Sequence, residues 1–414
     1  MPDFLTSGEG LAIAVSLFTG ITTNFMHAGR FGDSDKITLG YFSADFRNHP
    51  IAHLTCGLFG QHDRECFNVY GYSYGKDDGS RYRNQIRRDC DRFIDVQGMS
   101  SPDIARRIYE DKVCILVDLM GHTAGSRLNV CALKPAPVQV TYLGFPGTTG
   151  ASFMDYIITD KIVTPLVHEP YYSEKPVYLP HCYQVNNNRQ EIADRRWRRT
   201  DLGLPEDGFV FSSFNQPVKI DPVMFNCWMN ILKRIPHSIL WLLLDNRIAE
   251  DNLRQAAEAA GIRPDRLIFS PKLPKAEHLA RMNLADLALD TRVYNGHTTT
   301  SDSLWAGVPV VTLMGDHFAS RVSASILSAV GLPELIAQSL KAYEDLAVYL
   351  ASHRDYLYRL RQKLKRYSKT KPLFDTQKFV QKLEQAFQRM WQRYLQGKMP
   401  GSFEVVDDLG LQGR

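Results

Sequence analysis

The sequence lacks long apolar runs. Its N-terminal apolar patch, Leu11 to Phe18, is too short to span a bilayer and follows no basic segment. We interpret this patch, within residues 1–35, as the remnant of a helix that packs on the first domain, and we expect no membrane partner. The chain also has no heptad array, low-complexity run or complete helical repeat. These absences exclude a coiled coil, a low-complexity chain and a solenoid.

Excess charge and paired cysteines are missing as well. The 49 Lys+Arg and 45 Asp+Glu residues leave a net charge of +4, which argues against a general nucleic-acid-binding protein. Seven cysteines occur without a Cys-x-x-Cys pair, a pattern typical of reduced thiols in a cytoplasmic protein. A chain of 414 residues with 44% hydrophobic content is globular and long enough for two domains.

Strand-like and helix-like segments alternate in both halves of the chain, which predicts an α/β protein with a parallel sheet in each half. The predicted strands of the first half are 36–43, 67–72, 92–96, 114–119, 138–144 and 155–159. Those of the second half are 209–214, 239–244, 267–269, 284–289 and 308–313. Helices are predicted at 78–89 and 102–110, from near Pro222, and almost continuously over 343–397. The predicted domains are 36–185 and 205–375, joined by a charged linker at 186–204 and followed by a C-terminal helix and tail at 376–414.

The stretch from Asp290 to Pro309 contains the strongest local pattern. A buried strand leads into the small-residue turn Asn295-Gly296, and a helix then begins at three consecutive threonines. A helix N-terminus favours an anion, typically a phosphate, and the hydroxyls of Thr298 and Thr299 add donors. A carboxylate one turn later, at Asp302, suits a ribose diol. The alternative is a capped helix with no ligand.

Other polar or glycine-containing loops also follow predicted strands. In doubly wound sheets, ligands bind beyond the carboxyl ends of the strands, so these loops are expected to converge. They contain His49, Gly121-His122-Thr123, Leu143 to Gly147, and Gln216 with Lys219. Alternatively, His49 caps the helix that begins at Pro50, Lys219 is a surface lysine, and the Gly121 loop is a tight turn.

Two patterns resemble metal sites, and we reject both. His49 and His53 have helical spacing, but a metalloprotease motif requires Glu where Pro50 stands. Asp89-Cys90-Asp91 matches the short Asp-x-Asp motif of metal-dependent glycosyltransferases, but its arginine neighbours favour surface ion pairs. We therefore expect neither a metal nor another cofactor.

Four motifs resemble the catalytic region of the O-linked N-acetylglucosamine transferase family, including its plant SPINDLY branch and bacterial relatives. They are Asp-Phe-Arg-Asn-His-Pro at 45–50, Tyr-Leu-Gly-Phe-Pro-Gly-Thr at 142–148, Phe-Asn-Gln-Pro-Val-Lys-Ile-Asp at 214–221 and Asn-Gly-His-Thr-Thr at 295–299. The resemblance extends from about Lys36 to Gly397. It implies the GT-B architecture, in which two Rossmann-like domains face each other across a cleft and a last helix returns to the first domain.

The resemblance also implies roles for individual residues. His49 would be the base or a positioning group, and Lys219 would neutralise the leaving diphosphate beside Gln216. The uridine side would contain Leu273, Lys275, His278 and Arg281. The diphosphate segment would be His297, Thr298 and Thr299, the ribose ligand Asp302, and the sugar-side loop Leu143, Gly144 and Pro146.

The function implied by the resemblance is inverting, metal-independent transfer of N-acetylglucosamine from UDP-GlcNAc to Ser or Thr hydroxyls of a protein or peptide acceptor. The alternatives are a protein O-fucosyltransferase that uses GDP-fucose and a non-catalytic nucleotide-sugar-binding scaffold. The sequence departs from the animal members in its short linker, in lacking the helical repeats that recruit acceptors, and in carrying the larger Tyr294 near the donor sugar.

Overall fold

The computed structural model describes residues 25–32 and 36–407, so the apolar patch Leu11 to Phe18 lies outside the described residues. The chain divides into two compact units. The first contains the described residues up to Asn188 together with the described residues from Thr376 onward, and the second contains Arg189–Asp375. Each unit has one all-parallel β-sheet flanked by helices, which confirms the predicted α/β class.

The first unit contains an eight-stranded sheet and five helices within the described residues. Its strands are β1 (Ile37–Ser43), β2 (Phe67–Ser73), β3 (Arg92–Asp95), β4 (Ile115–Asp118), β5 (Val138–Thr141), β6 (Tyr156–Asp160), β7 (Lys175–Leu179) and β14 (Phe403–Glu404). Its helices are α1 (Pro50–Thr55), α2 (Arg81–Asp89), α3 (Ser101–Glu110), α4 (Leu128–Ala132) and α12 (Thr376–Leu395). The strand order is β14-β7-β6-β5-β4-β1-β2-β3.

The second unit contains a six-stranded sheet. Its strands are β8 (Phe209–Ser213), β9 (Ser238–Leu243), β10 (Leu267–Ser270), β11 (Leu287–Leu289), β12 (Val310–Leu313) and β13 (Ile336–Ala337). Its helices are α5 (Pro222–Arg234), α6 (Arg247–Ala259), α7 (Lys275–Met282), α8 (Thr298–Trp305), α9 (Val322–Val330), α10 (Leu340–Ser352) and α11 (Arg354–Tyr367). The strand order is β10-β9-β8-β11-β12-β13.

Both sheets are doubly wound. The strand order reverses between β1 and β4 in the first unit and between β8 and β11 in the second. Every residue of these four strands is buried, because helices cover both faces of a parallel sheet. The loops that leave their carboxyl ends are the expected ligand-binding positions of each unit.

Several predicted boundaries were wrong for local reasons. The strand predicted over 284–289 begins at Leu287, because the amides of Leu284 and Ala285 still bond to the last turn of α7. The strand predicted over 138–144 ends at Thr141, since Leu143 has a φ of 71°. Helix α2 begins at Arg81 because Ser80 caps it.

The helical pattern predicted from Tyr343 almost to Gly397 contains more than one helix. It is divided into α10, α11 and α12. His353 leaves the helical region with a ψ of 71°, and Pro372 opens a short 3-10 turn before α12. Within residues 25–32 and 36–407, none of the helices has both the length and the apolar character required to cross a membrane.

Candidate functional site

Asp290, at the end of β11, organises the loop that follows this strand. Its carboxylate accepts hydrogen bonds from the Asn215 side chain (2.9 Å), the Gly296 amide (2.7 Å) and the Thr312 hydroxyl (2.7 Å). Burial raises the pKa of Asp290, and these donors oppose that shift. The same carboxylate therefore joins the loop after β8 to the loop after β11, where the strand order reverses.

Gly296 closes the turn before α8. A Cβ atom there would lie 2.6 Å from Thr300 Oγ1 and 2.7 Å from Asn215 Oδ1, so the turn requires glycine. Thr300 is buried, and its hydroxyl donates to the Gly296 carbonyl (2.7 Å), which gives this third threonine a structural role.

Thr298 and Thr299 are arranged differently from Thr300. Both are partly exposed, and their hydroxyls have no hydrogen-bond partner within the described chain. Helix α8 begins at Thr298, and the side chain of its N-cap residue, His297, does not cap it. The first amides of α8 and two hydroxyls can therefore donate to an anion at the positive end of the helix dipole.

Lys219 lies beside this helix N-terminus. Its Nζ donates to the Asn295 carbonyl (2.8 Å) and is 3.9 Å from the centroid of the Tyr294 ring. Burial lowers the pKa of Lys219 to about 8, with Asp290 opposing the shift. A desolvated ammonium with donors to spare can bind a phosphate oxygen.

His297 stacks on Tyr294, the aromatic residue next to Lys219. Its ring is 4.9 Å from that of Tyr294, with an interplanar angle of 22°. Burial, and then the charge of Lys219, lower the pKa of His297 well below its usual value. The imidazole is therefore neutral at pH 7, and within the described residues its buried Nε2 has no hydrogen-bond partner.

Lys275 and Asp302 form an ion pair between α7 and α8. The side chains are only 9% and 8% exposed. Burial raises the pKa of Asp302, and Lys275 opposes that shift. Asp302 Oδ1 is buried and has no partner among the residues that the structure describes. A buried acceptor of this kind is costly unless a donor, such as a ligand hydroxyl, reaches it.

His278 and Arg281 occupy the same helix as Lys275. Arg281 Nε donates to His278 Nδ1 (3.1 Å), and the His278 ring lies 5.1 Å from that of Phe214. Burial, followed by Arg281 and Lys275, lowers the pKa of His278 to about 3, so its ring is neutral and able to stack on a base. Leu273 precedes α7 and is partly exposed.

The second unit thus brings most of the predicted donor-binding residues onto adjoining elements. Direct contacts join Lys219 to the Asn295 turn, Lys275 to Asp302, and His278 to Arg281. Gln216 is exposed and makes no side-chain hydrogen bond within the described residues. Asp290 and Asn215 had no role among the residues predicted for the site, although a carboxylate directly after a buried strand was a usable signal.

In the first unit, His49 follows β1 and caps α1, as one of the two interpretations expected. Its Nδ1 accepts from the Ile51 amide at 3.3 Å and lies 3.3 Å from Asp45 Oδ2. Burial lowers the pKa of His49, with Asp45 opposing the shift and Arg47 adding to it. The ring is 32% exposed, so it remains accessible to solvent.

The loop after β5 is held tightly against the loop after β4. Leu143 is buried with a φ of 71°, an uncommon conformation for a residue with a side chain. A Cβ on Gly144 would lie 2.0 Å from the Leu119 carbonyl oxygen. Pro146 is buried, and His122 bonds to the Thr149 carbonyl (2.7 Å). These contacts link the two loops, including the Gly121-His122 turn.

The two patterns that resembled metal sites have structural contacts. His53 Nε2 lies 2.8 Å from Asn48 Oδ1, and Asp91 binds Arg64 (2.9 Å) and the Val69 amide (2.7 Å). In the described part of the chain, no three His, Cys, Asp or Glu side chains are grouped as a metal site.

The paired doubly wound sheets and the donor-rich strand ends define the GT-B class of glycosyltransferase fold. The glycosyl transferase family 41 model matches residues 18–198 and 196–383, and the chain belongs to that family. A Thermobaculum terrenum O-GlcNAc transferase mutant has a TM-score of 0.82 and 34% identity, over 88% of this chain and 70% of that one.

Two curated relatives add to the comparison. A probable UDP-N-acetylglucosamine–peptide N-acetylglucosaminyltransferase, SEC, of Arabidopsis thaliana is 44% identical over 92% of this chain and 39% of its own length. The UDP-N-acetylglucosamine–peptide N-acetylglucosaminyltransferase of Caenorhabditis elegans is 30% identical over 91% of this chain and 42% of its own. The chain therefore spans about two fifths of the length of these relatives.

Proposed function

We propose that this chain transfers N-acetylglucosamine from UDP-GlcNAc to Ser or Thr hydroxyls of a protein acceptor, with inversion and without a metal. The observation that carries the proposal is the cluster in the second unit, where Lys219, the uncapped start of α8 and the hydroxyls of Thr298 and Thr299 adjoin. These groups supply positive charge and donors for a diphosphate, and the names of the relatives favour UDP-GlcNAc as the donor.

In the proposed reaction, a base takes the proton of the acceptor hydroxyl as the hydroxyl oxygen bonds to the anomeric carbon, and the family resemblance assigns the role of base to His49. The bond from that carbon to the diphosphate oxygen breaks, and UDP leaves with the electron pair. Lys219 and the α8 amides stabilise the negative charge that develops on the diphosphate, a role that a metal plays in other transferases. A single in-line displacement of this kind inverts the anomeric configuration.

The remaining residues are proposed to bind the other parts of the donor: the base, the ribose, the sugar and the phosphates. His278 is neutral and suited to stacking on uracil, and the family resemblance assigns Leu273 and Arg281 to the same side of the donor. Asp302, held by Lys275, has an open oxygen for a ribose hydroxyl. The family resemblance assigns Leu143, Gly144 and Pro146 to the sugar and Gln216 to the phosphates.

The donor is tested by comparing UDP with GDP. We expect UDP to raise the melting temperature and GDP to have little effect. We also expect the protein to release UDP from UDP-GlcNAc when Ser- and Thr-containing peptides are added, and mass spectrometry to detect the glycosylated peptide. Stabilisation by GDP alone, with fucose transferred from GDP-fucose, would instead favour the O-fucosyltransferase. Binding of UDP without any transfer would favour the scaffold.

The affinity for UDP should depend on the charge of Lys219. Its pKa of about 8 in the free protein lies below the usual value, so the ammonium is lost as the pH rises above 8. Between pH 8 and 9.5 we expect the Kd for UDP to increase by up to about tenfold per pH unit, because one proton is required for binding. Titration calorimetry checks this slope.

Uridine provides the matched control, since it has no phosphate to contact Lys219. Its Kd should stay nearly constant over the same pH range. Equal slopes for UDP and uridine would contradict a role for Lys219 at the diphosphate.

A further inference from the structure

The Asp45 carboxylate lies at the end of β1, directly against the ring of His49. Asp45 is 4% exposed, and its Oδ2 is 3.3 Å from His49 Nδ1. Its other oxygen, Oδ1, binds Arg47 Nη2 at 2.9 Å, and its amide donates to the Ser43 hydroxyl oxygen at 2.9 Å. The carboxylate is therefore fixed, with Oδ2 within ion-pair distance of the imidazole.

His49 Nδ1 has two competing neighbours at the same distance. The Ile51 amide can donate to it at 3.3 Å only when Nδ1 carries a lone pair, and the neutral ring then has its proton on Nε2. Asp45 Oδ2 lies within ion-pair distance of Nδ1, and it attracts that nitrogen only when Nδ1 carries the proton. The two contacts therefore select opposite tautomers, and only the second leaves Nε2 able to act as a base.

We propose that Asp45 is a positioning residue for His49, whose carboxylate holds the proton on Nδ1 and leaves Nε2 free to deprotonate the acceptor hydroxyl. This inference rests on the proposed transferase function. The charge of Asp45 favours the proton on Nδ1, and a hydrogen bond to a charged acceptor, once formed, is about twice as strong as the neutral bond from the Ile51 amide. The same carboxylate stabilises the imidazolium that forms when Nε2 takes the proton.

The surrounding loop is built to hold this pair. Arg83 is fully buried and donates to the Phe46 carbonyl (3.3 Å), and Asp78 accepts from the Asn48 amide (2.7 Å). Arg83 and Asp78 both bond to backbone atoms of this loop. Within the described chain, the charges that shift the pKa of His49 are those of Asp45 and Arg47. Asp78 therefore supplies a control that perturbs the same loop without removing the charge next to the imidazole.

The test compares Asp45→Asn with Asp78→Asn in the full chain. For Asp45→Asn we expect kcat to fall about 100-fold with the KM for UDP-GlcNAc unchanged. The rising limb of its pH–rate profile should move to lower pH, because the carboxylate that favours the charged imidazole is gone. For Asp78→Asn we expect kcat within about threefold of the unmodified protein and no shift of the limb.

The ring nitrogen of His49 that carries the proton is identified separately by ¹⁵N NMR of labelled histidine. The His49→Phe variant assigns the His49 signal. We expect the neutral His49 ring to carry its proton on Nδ1, and on Nε2 in Asp45→Asn. A neutral His49 ring protonated on Nε2 in the unmodified protein would overturn the inference. An Asp45→Asn variant with the kcat of the unmodified protein and the same rising limb of the pH–rate profile would overturn it as well. Absence of transfer by the unmodified protein would instead refute the proposed function, and the NMR result would still test the pair.

Discussion

Replacing Lys219 by alanine is expected to lower kcat for sugar transfer by about 100- to 1,000-fold, the usual effect of removing one preorganised charge-stabilising donor. The Lys219 ammonium contacts one backbone carbonyl, that of Asn295, and the face of the Tyr294 ring. Neither contact neutralises its charge. The ammonium is thus available to the leaving diphosphate, and its loss should raise the barrier of the chemical step.

The same substitution should not destabilise the fold. The folded-state pKa of Lys219 is about 8, below the value of a solvated lysine, because burial disfavours the ammonium. The charged lysine therefore costs folding free energy at neutral pH, and that cost disappears as the pH rises from about 8 past the unfolded-state pKa. At pH 7 we expect Lys219→Ala to melt at the same temperature as the unmodified protein or higher.

Lys233→Ala is the control, because Lys233 is exposed on α5 of the same unit. Its turnover and melting temperature should match those of the unmodified chain. Rates are measured as UDP release with saturating UDP-GlcNAc, and folding by calorimetry at pH 7. Undiminished turnover in Lys219→Ala would refute the proposed mechanism. A collapse of its melting temperature would mean that Lys219 is structural.

Much of the fold could be predicted, because apolar periodicity in the sequence reports burial directly. Three of the four strands beside the points of reversal, β1, β4 and β8, were expected at nearly their observed positions, as was Pro50 in the first turn of α1. Strand ends were less accurate. The predicted strand at 138–144 continued through Leu143, since no apolar pattern reveals a positive φ.

The contacts within the site were harder to predict, since they join residues far apart in sequence. Lys275 meets Asp302 across 27 residues, and Asn215 meets Asp290 across 75. Local patterns assigned Asp302 to a ligand but gave no indication of its lysine partner. Resemblance to the family pointed to individual residues, whereas the stacking of Tyr294 on His297 required the folded chain.

Replacing Gly144 by alanine should cause the largest loss of stability of any variant considered. The added Cβ would lie 2.0 Å from the Leu119 carbonyl oxygen and 2.9 Å from Met120 Cα, both backbone atoms that cannot rotate away. Relief requires the loop after β4 or the loop after β5 to move. We expect the melting temperature to fall by roughly 5–10 °C, as for severe overpacking in a domain of this size.

Gly147→Ala tests whether the effect is specific to that contact. Gly147 lies in the same loop, but its added Cβ would be 3.3 Å from Phe145 Cε1, a side-chain atom that can shift. Its melting temperature should change by less than about 2 °C. If both variants melt alike, the close packing of Gly144 on Leu119 does not limit stability.

Gly144→Ala also separates donor binding from transfer. The residues proposed to bind UDP belong to the second unit, whereas Gly144 belongs to the first and lies next to the strained Leu143. At a temperature where the variant remains folded, its Kd for UDP should match that of the unmodified chain while transfer falls. Loss of both together would contradict the assignment of Leu143, Gly144 and Pro146 to the sugar side. Retention of both would show that the loop tolerates displacement without loss of transfer.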